Sequence, residues 1–348
     1  MADREKDLLI AGGGLAGTML AWETLWAGKS FLLVDPREEG SASRVAAGII
    51  NPVAGRNLAP LRGGRAALDE AIAFYQRIEA EFHRTFFFPL PIERFLLEER
   101  MSRRFERKLE AGDYQGLAGQ PDAELDEHCF QSIPDRLELP DAGRVDVKHF
   151  LDFSWHHFGQ LDSTRVGRVD PDADEIGLAM GKVHWNGFNS DQVVFTRGFE
   201  ETRSSFFDCK GFRPAKGEIL DLKIPGLGGK RIMVGRKWLL PVGGDRFRAG
   251  ATYDLENLDS IPTKKARSEI ESHLRQFLKL PFEVYGQEAA VRPVYRKGLP
   301  FCRVHEKFKQ VYLFNGLGSK GCLHGPAAAA ALVAHLFHGA DLPPDPNQ

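Results

Sequence analysis

Residues 7–35 read DLLIAGGGLAGTMLAWETLWAGKSFLLVD, and the order of apolar runs and glycines in them decides the fold. Asp7–Ala11 is a continuous apolar run of strand type. Leu15–Ala27 has helix length and is closed by Gly28 at a C-cap position, and Phe31–Val34 is a second strand-type run. Strand, helix and strand within about 30 residues form a βαβ unit, whose two strands must be parallel. Between the first strand and the helix lies Gly12-Gly-Gly14-Leu15-Ala16-Gly17. Gly12 permits the tight turn, Gly14 lets a backbone approach a pyrophosphate, and Gly17 lets the helix pack closely on the sheet. The helix N-terminus supplies N–H groups and the positive end of a dipole. About 20 residues on, Asp35, followed by Pro36, ends the second strand, placed to accept hydrogen bonds from a ribose diol. No basic residue follows until Arg37, which suits an adenosine ribose without a 2′-phosphate. The pattern indicates dinucleotide binding and does not choose between nicotinamide and flavin.

The whole chain of 348 residues is 43% hydrophobic and 27% charged, with 46 basic against 48 acidic side chains. This composition excludes a mainly disordered chain and supplies a core for about two domains or one large α/β unit. Balanced charge argues against a protein built around a phosphate backbone or an anionic membrane. Cys129, Cys209, Cys302 and Cys322 lie far apart with no C-x-x-C pair, which excludes a zinc ribbon or disulfide scaffold and fits a reducing compartment. No apolar run reaches the ~18 residues of a membrane span, and charges of both signs precede Leu8 where a signal peptide would be basic. The chain reads as soluble and cytoplasmic. Its 36 glycines are about a tenth of the residues against a usual ~7%, a surplus that needs a location.

Further along, Ser41–Gly64 is rich in Gly, Ala, Ser, Pro and Arg and reads as a functional loop region. Arg65–Arg84 carries apolar residues at helical spacing, Thr85–Leu97 reads as a different layer, and Met101–Glu110 as a charged, solvated helix. Val147–Phe158 is a further helix and Gln192–Thr196 a buried strand ended by Gly198. Lys216–Tyr253 reads as a meander of short antiparallel strands, followed by a helix over Lys264–Leu278. Val311–Phe314 is the last strand, a glycine-rich turn follows, and a helix runs from Gly325 to His338. The tail after Leu342 is expected to fray. The fold class is α/β with an α+β second domain: a Rossmann-like domain with a parallel sheet, interrupted by an antiparallel-sheet domain. The expected boundaries are 1–84, 143–210 and 300–348 for the nucleotide-binding domain, and 85–142 with 211–299 for the substrate domain.

Two stretches narrow the cofactor. Ser43-Arg-Val-Ala-Ala-Gly48-Ile-Ile-Asn-Pro52 offers small residues that let the chain lie against something flat, and Asn315-Gly-Leu-Gly-Ser-Lys-Gly321 joins the last strand to the last helix. Together they resemble the FAD-dependent D-amino-acid oxidase superfamily, which includes glycine oxidase and sarcosine oxidase. The resemblance runs along most of the chain in order. After the fingerprint and S-x-x-A-A-G come Gly143-Arg-Val-Asp146, Val193-Val-Phe-Thr-Arg-Gly198, Pro214-Ala-Lys-Gly217 and Leu240-Pro241. Gly250-Ala-Thr252, Val291-Arg-Pro293, Gly298-Leu-Pro300 and the terminal glycine turn complete it.

The resemblance implies an FAD domain plus an antiparallel-sheet substrate domain, and it implies roles. Gly12, Gly14, Leu15, Ala16 and Gly17 with Asp35 and Pro36 would hold the ADP half, with Ser43 and Arg44 approaching the pyrophosphate. Ala47, Gly48 and Ile49 would line the flavin ring, the Val166 backbone would meet adenine, and Gly198 belongs to the same cofactor set. Gly316, Gly318, Ser319, Lys320 and Gly321 would cradle the pyrimidine edge, where N–H groups stabilise charge on the reduced ring. Arg292 stands where the family grips the substrate carboxylate, a task for which a planar guanidinium is suited. Trp238, Arg248 and Tyr295 complete the candidate catalytic set. Trp238 replaces a tyrosine of glycine-oxidase-like members and Val242 an arginine, which puts a second polar contact to a small amino acid in question. Arg248 occupies the position of a lysine that helps oxygen react in sarcosine oxidases. Pro293 replaces their flavin-linking cysteine, so the FAD is expected to be non-covalent.

The expected activity is oxidation of the carbon–nitrogen bond of an amino acid or related amine, with hydride passing to flavin N5 and electrons to O2 or another acceptor. Two other readings stand beside it: an oxidase of a larger amine, such as a modified tRNA uridine side chain, and an FAD-binding protein without turnover. Balanced charge disfavours nucleic acid, although Arg56, Arg62 and Arg65 cluster after the flavin motif and could attract an anionic substrate. His149, Asp152 and His156 share a helix but read as its polar face, so no metal is expected. The basic run Arg100–Lys108 is interleaved with glutamates and reads as solvated.

Overall fold

A computed structural model describes residues 5–345 apart from 56, 61, 122, 123, 174, 175, 180, 297 and 343, so Arg56 lies outside the described residues. The chain divides into two compact units, one of residues 1–46, 147–215 and 291–348, the other of 47–146 and 216–290.

In the first unit, β1 (Glu5–Ala11), α1 (Leu15–Trp26) and β2 (Phe31–Asp35) form the expected βαβ unit. β1 is parallel to β2 on one side, with Ala11 opposite Val34, and to the strand Phe188–Phe195 on the other, with Ala11 opposite Phe195. Thr164–Val166 extends the parallel sheet beyond β2, and Val311–Asn315 extends it beyond Phe188–Phe195. Leu9, Val34, Val193, Phe195 and Leu313 are all buried in one core. Burial on both faces explains why these strands read as unbroken apolar runs. Phe188–Phe195 is where the sheet forks. Its first residues pair antiparallel with Lys182–Trp185 of a hairpin that includes Ile176–Ala179, and its last three pair with Val311–Leu313. That hairpin is not visible in the sequence pattern, because its strands are only four residues long.

The chain leaves β1 for a strand on one side and later returns to a strand on the other. The C-terminal end of β1 is therefore a topological switch point, the crevice where open α/β sheets bind ligands. α1 lies against the last helix, Gly321–His338, and a Cβ on Gly325 would stand 2.5 Å from the Met19 sulfur. On its other flank Trp22 stacks on His157, centroids 5.3 Å apart, and donates to the Ser154 hydroxyl at 2.8 Å. The last helix starts at Gly321, four residues before the expected Gly325. Of the tail expected to fray, residues 343 and 346–348 lie outside the described residues, and Asp345 accepts a hydrogen bond from Arg303 Nε at 3.1 Å.

The second unit is built on a seven-stranded sheet ordered Glu283–Arg292, Ala215–Lys223, Arg246–Gly250, Trp238–Gly243, Ile232–Val234, Ile92–Leu96 and Asp135–Leu139. It is antiparallel across the Lys216–Tyr253 meander, but Ile232–Val234 runs parallel to Ile92–Leu96. The helix Lys264–Leu274 covers a core of Phe95, Leu220, Leu239, Phe247 and Phe277. The first break between units falls at Ala46, not at residue 84. The helix Gly64–Phe82 belongs to the second unit, where the Glu79 carboxylate accepts the N–H groups of Phe86 and Phe87 at 2.5 and 2.6 Å. Among the described residues, no helix is long and apolar enough to cross a membrane.

One buried charge braces the second sheet. Glu93, 2% exposed, accepts hydrogen bonds from Arg136 and, at 2.8 Å, from Arg231. Removing one partner of such a group leaves the others uncompensated. Glu93→Gln is expected to lower stability by about 3 kcal/mol, read as a reduced midpoint of thermal unfolding. An unchanged midpoint would show that the two guanidiniums are equally well solvated without it.

Candidate functional site

The residues after β1 form a cradle of backbone. Gly12 has φ +115° and donates to the Val34 carbonyl at 2.8 Å. Gly17 comes so close to it that a Cβ on Gly17 would stand 1.8 Å from the Gly12 oxygen. Thr196, at the end of Phe188–Phe195, seals this contact: its hydroxyl donates to the Gly12 carbonyl at 2.7 Å and its N–H to Ala11 at 2.8 Å. The Gly13 N–H donates to Asp35 Oδ2 at 2.6 Å and the Arg37 N–H to Oδ1 at 2.7 Å, which fixes the carboxylate at the mouth of the crevice. Each oxygen keeps a lone pair for a further donor. Val166 sits opposite Asp35 in the neighbouring strand with its side chain 73% exposed, an apolar surface beside the acid.

α1 has no side-chain cap at Gly14. Ser43 comes closest to one, its hydroxyl accepting the Leu15 N–H at 3.0 Å. The N–H groups of Ala16 and Gly17 have no protein partner among the described residues, so they and the helix dipole are available to an anion. Arg44, by contrast, turns away from that task. It forms paired hydrogen bonds to Glu39 at 3.0 and 3.2 Å and reaches Asp152 at 2.8 Å, and Asp152 holds its guanidinium above the ordinary range. Its role is to position the Ser41–Val45 turn. Asp152 also binds Arg37 at 2.6 Å, so this carboxylate serves arginines and not the histidines on its helix.

At the other end of the same unit, Asn315 ties the glycine turn to Gly198: its amide donates to the Gly198 carbonyl at 2.9 Å and its oxygen accepts the Gly316 N–H at 2.7 Å. Gly198, Gly316 and Gly318 have φ of +56°, +80° and +54°, the left-handed region that glycine enters freely. Val294 bridges to Leu317 within this turn, and a Cβ on Gly198 would come within 3.8 Å of Pro293. The segment that begins at half-buried Arg292 therefore runs along the turn. Ser319 is exposed, and Lys320 and Gly321 open the last helix. Lys320 and His324, one turn apart, are half-buried, and their side chains have no hydrogen-bond or ion-pair partner among the described residues. Burial lowers the Lys320 pKa, and burial followed by the Lys320 charge lowers His324 to about 4.

The other candidates are placed differently. Tyr295 is 2% exposed in the core against Phe212 and Phe301, and its hydroxyl accepts from Arg303 at 2.6 Å, a structural position. In the second unit, Arg248 is pinned across three strands by Asp221 at 3.1 Å and by Glu288, which takes up the charge a reacting centre would need. Trp238 lies over Gly250, where a Cβ would be 3.0 Å from its ring. Ala47, Gly48 and Ile49 also belong to the second unit, where the Gly48 carbonyl accepts the Val145 N–H at 2.9 Å and Ile49 pairs with Arg144. Arg65 is engaged by Asp141 at 2.7 Å and by the Gly116 carbonyl, and Arg62 is exposed. Cys302 is buried and its thiol pushed up to about 12, and Cys322 is buried as well. Sequence reading missed Thr196, Asn315 and His324 as functional positions. Thr196 and Asn315 could have been found as polar residues ending buried strands; His324 was hidden by the late start assigned to its helix.

A model of the FAD dependent oxidoreductase family (DAO) matches residues 7–336. The chain belongs to this family. Solved structures agree on the fold. Glycine oxidase of Bacillus cereus ATCC 14579 superposes with a TM-score of 0.78 at 19% identity, covering 96% of this chain and 97% of that one. Glycine oxidase of Geobacillus kaustophilus gives 0.77 at 16%, covering 98% and 96%. Iminodiacetate oxidase of Chelativorans sp. BNC1 gives 0.73 at 18%, covering 96% of each. This FAD-dependent oxidoreductase has a donor set that fits its cofactor: uncapped amides at α1 for a pyrophosphate, a fixed carboxylate for a ribose, and an exposed valine for a base.

Two outcomes test the cradle. Gly17→Ala is expected to yield colourless protein, because its Cβ cannot share space with the Gly12 carbonyl and α1 must shift away from the switch point; full flavin absorbance in that variant would displace the pyrophosphate from α1. His324 is neutral in the fold down to about pH 4 but protonates near 6.5 when unfolded. The unfolded state thus binds more protons in that window, and stability falls as pH falls from about 6.5 to about 4. In flavin-free protein, His324→Gln is expected to flatten this part of the stability–pH profile, measured by urea unfolding; an unaltered slope would assign it to other groups.

Proposed function

We propose that this FAD-dependent oxidoreductase oxidises the carbon–nitrogen bond of an amino acid or related amine that carries a carboxylate. The observation that carries the reading is the course of the Arg292–Tyr295 segment, which runs beside the Asn315–Gly321 turn through the Val294–Leu317 bridge. A guanidinium at the head of that segment can hold a carboxylate by two parallel hydrogen bonds. The names of similar structures support the same class, since glycine oxidase and iminodiacetate oxidase both act on amines bearing carboxylates.

In this reading the amides of Ala16 and Gly17 hold the pyrophosphate, Asp35 the ribose, and the residues around Val166 the adenine. The turn from Gly316 to Gly321 would hold the flavin, and its N–H groups would stabilise negative charge there. FAD, when bound, would supply a two-electron acceptor for the hydride of the α-carbon. Arg292 would orient that carbon by gripping the carboxylate. The substrate amine would react in its neutral form, and the imine product would take up water to give an oxo acid and ammonia or an amine, with O2 or another acceptor receiving the electron pair. Pro293, where a flavin-linking cysteine would stand, supports non-covalent attachment.

Arg292→Ala is expected to raise the apparent substrate constant by ~2–4 kcal/mol with a smaller change in kcat. Anaerobic titration of the yellow protein with amino acids and N-alkyl amino acids reads both the class and the affinity by flavin bleaching. No bleaching by any member of that panel would refute the proposal, and bleaching with an unchanged constant in Arg292→Ala would remove the arginine from the site.

A further inference from the structure

Five charged side chains are buried among the described residues, and four of them are paired. Glu93 is held by Arg136 and Arg231, Glu201 by Arg197, and Lys216 and Glu218 by each other, with Asp259 on Lys216 as well. Arg94 is the exception. It is 7% exposed on the strand Ile92–Leu96, between Val234 and Leu137 of the neighbouring strands. Its Nη2 donates to the Gly55 carbonyl at 2.8 Å, in the hairpin of Val53–Ala54 and Ala59–Pro60, while its Nε has no partner. No carboxylate of the described residues forms an ion pair with it.

A second buried donor lies within electrostatic reach of the first. Tyr114, 1% exposed, packs its ring on Phe105 with centroids 5.8 Å apart, and its hydroxyl has no partner either. Burial lowers Arg94 to about 10 and, against the Arg94 charge, raises Tyr114 to about 12. At neutral pH the guanidinium is therefore charged and the phenol keeps its proton. Leu137 beside Arg94, and Val53 and Leu58 of the hairpin, are fully buried, so the surroundings are apolar. A carbonyl completes a hydrogen bond to a buried cation but leaves its charge uncompensated, which is costly in an apolar medium. An anion removes that cost, and it can accept from the Nε–H and the phenol O–H together.

We propose that Arg94 and Tyr114 form a binding site for a small anion, a halide or a carboxylate, within the second unit. One guanidinium and one hydroxyl offer a few donors and a single positive charge, which suits a monovalent group. Two sources share this chemistry: a free anion, and the carboxylate of a bound ligand. The register sets Arg94, Val234 and Trp238 in one row across three adjacent strands, on the same face of the sheet. A ligand in contact with Trp238 can therefore reach Arg94 with a carboxylate about 10 Å away, two strand spacings along that row.

The test uses the full chain loaded with FAD, at constant ionic strength set with sodium fluoride, whose strongly hydrated anion is the reference. Sodium chloride and, separately, sodium acetate replace it stepwise while the midpoint of thermal unfolding is followed. A saturable rise is expected with at least one probe. Arg94→Met should abolish that rise, and Tyr114→Phe, which keeps the ring, should weaken the apparent affinity by about tenfold. The source is read separately by anaerobic flavin bleaching. Chloride that slows reduction by a dicarboxylic amino acid more than by a monocarboxylic one assigns the site to a substrate carboxylate, and an equal effect or none assigns it to a free anion; both support the proposal. The midpoint titration needs no turnover, so failure of the proposed oxidation leaves it readable. No saturable rise with either probe, or a rise that persists in Arg94→Met, would overturn the site. If Arg94→Met does not fold, Tyr114→Phe decides, and an unchanged affinity there would overturn it equally.

Discussion

The first unit depends on one close approach, that of the Gly17 α-carbon to the carbonyl of Gly12. No side chain fits between them, and the Thr196 hydroxyl occupies the remaining space by donating to the same oxygen. The contact fixes the angle at which α1 leaves the sheet, and that angle aims its first N–H groups at the switch point. Asp35 is drawn into the same geometry by the Gly13 amide. Anion recognition, ribose recognition and helix–sheet packing are therefore consequences of one steric constraint.

Charge in this unit is arranged to keep guanidinium groups out of the cradle. Arg37 and Arg44 converge on Asp152, and Arg44 on Glu39 as well, so the pyrophosphate would meet backbone dipoles. Backbone donors are held rigid by the fold and need no side-chain ordering on binding. At the last helix, burial and the Lys320 charge lower the pKa of His324 to about 4, which leaves its imidazole neutral.

The βαβ unit was legible because its signals are local: apolar runs, a glycine triplet and a terminal acid within 29 residues of one another. The start of the last helix was not, because Pro326 suggests a beginning where the helix is already under way, and the buried face of Gly321–Gly325 is set by packing on Leu15 and Met19. Arg248 and Tyr295 show a different limit. Motif alignment gives a position in the chain, but whether a side chain is free depends on partners far away in sequence, here Asp221, Glu288 and Arg303. The surplus glycines follow the same division: some line the cradle and its terminal turn, others such as Gly243 and Gly244 only reverse the chain between strands.

The Asp345–Arg303–Tyr295 chain of hydrogen bonds connects Asp345 to the segment that starts at Arg292. Asp345 is the counter-charge of an arginine that stacks on both Tyr295 and Phe301. Loss of the Asp345 carboxylate would leave Arg303 without that counter-charge and loosen the ring it stacks on. Asp345 is thus a tether for Arg303 and, through it, for the Tyr295 ring.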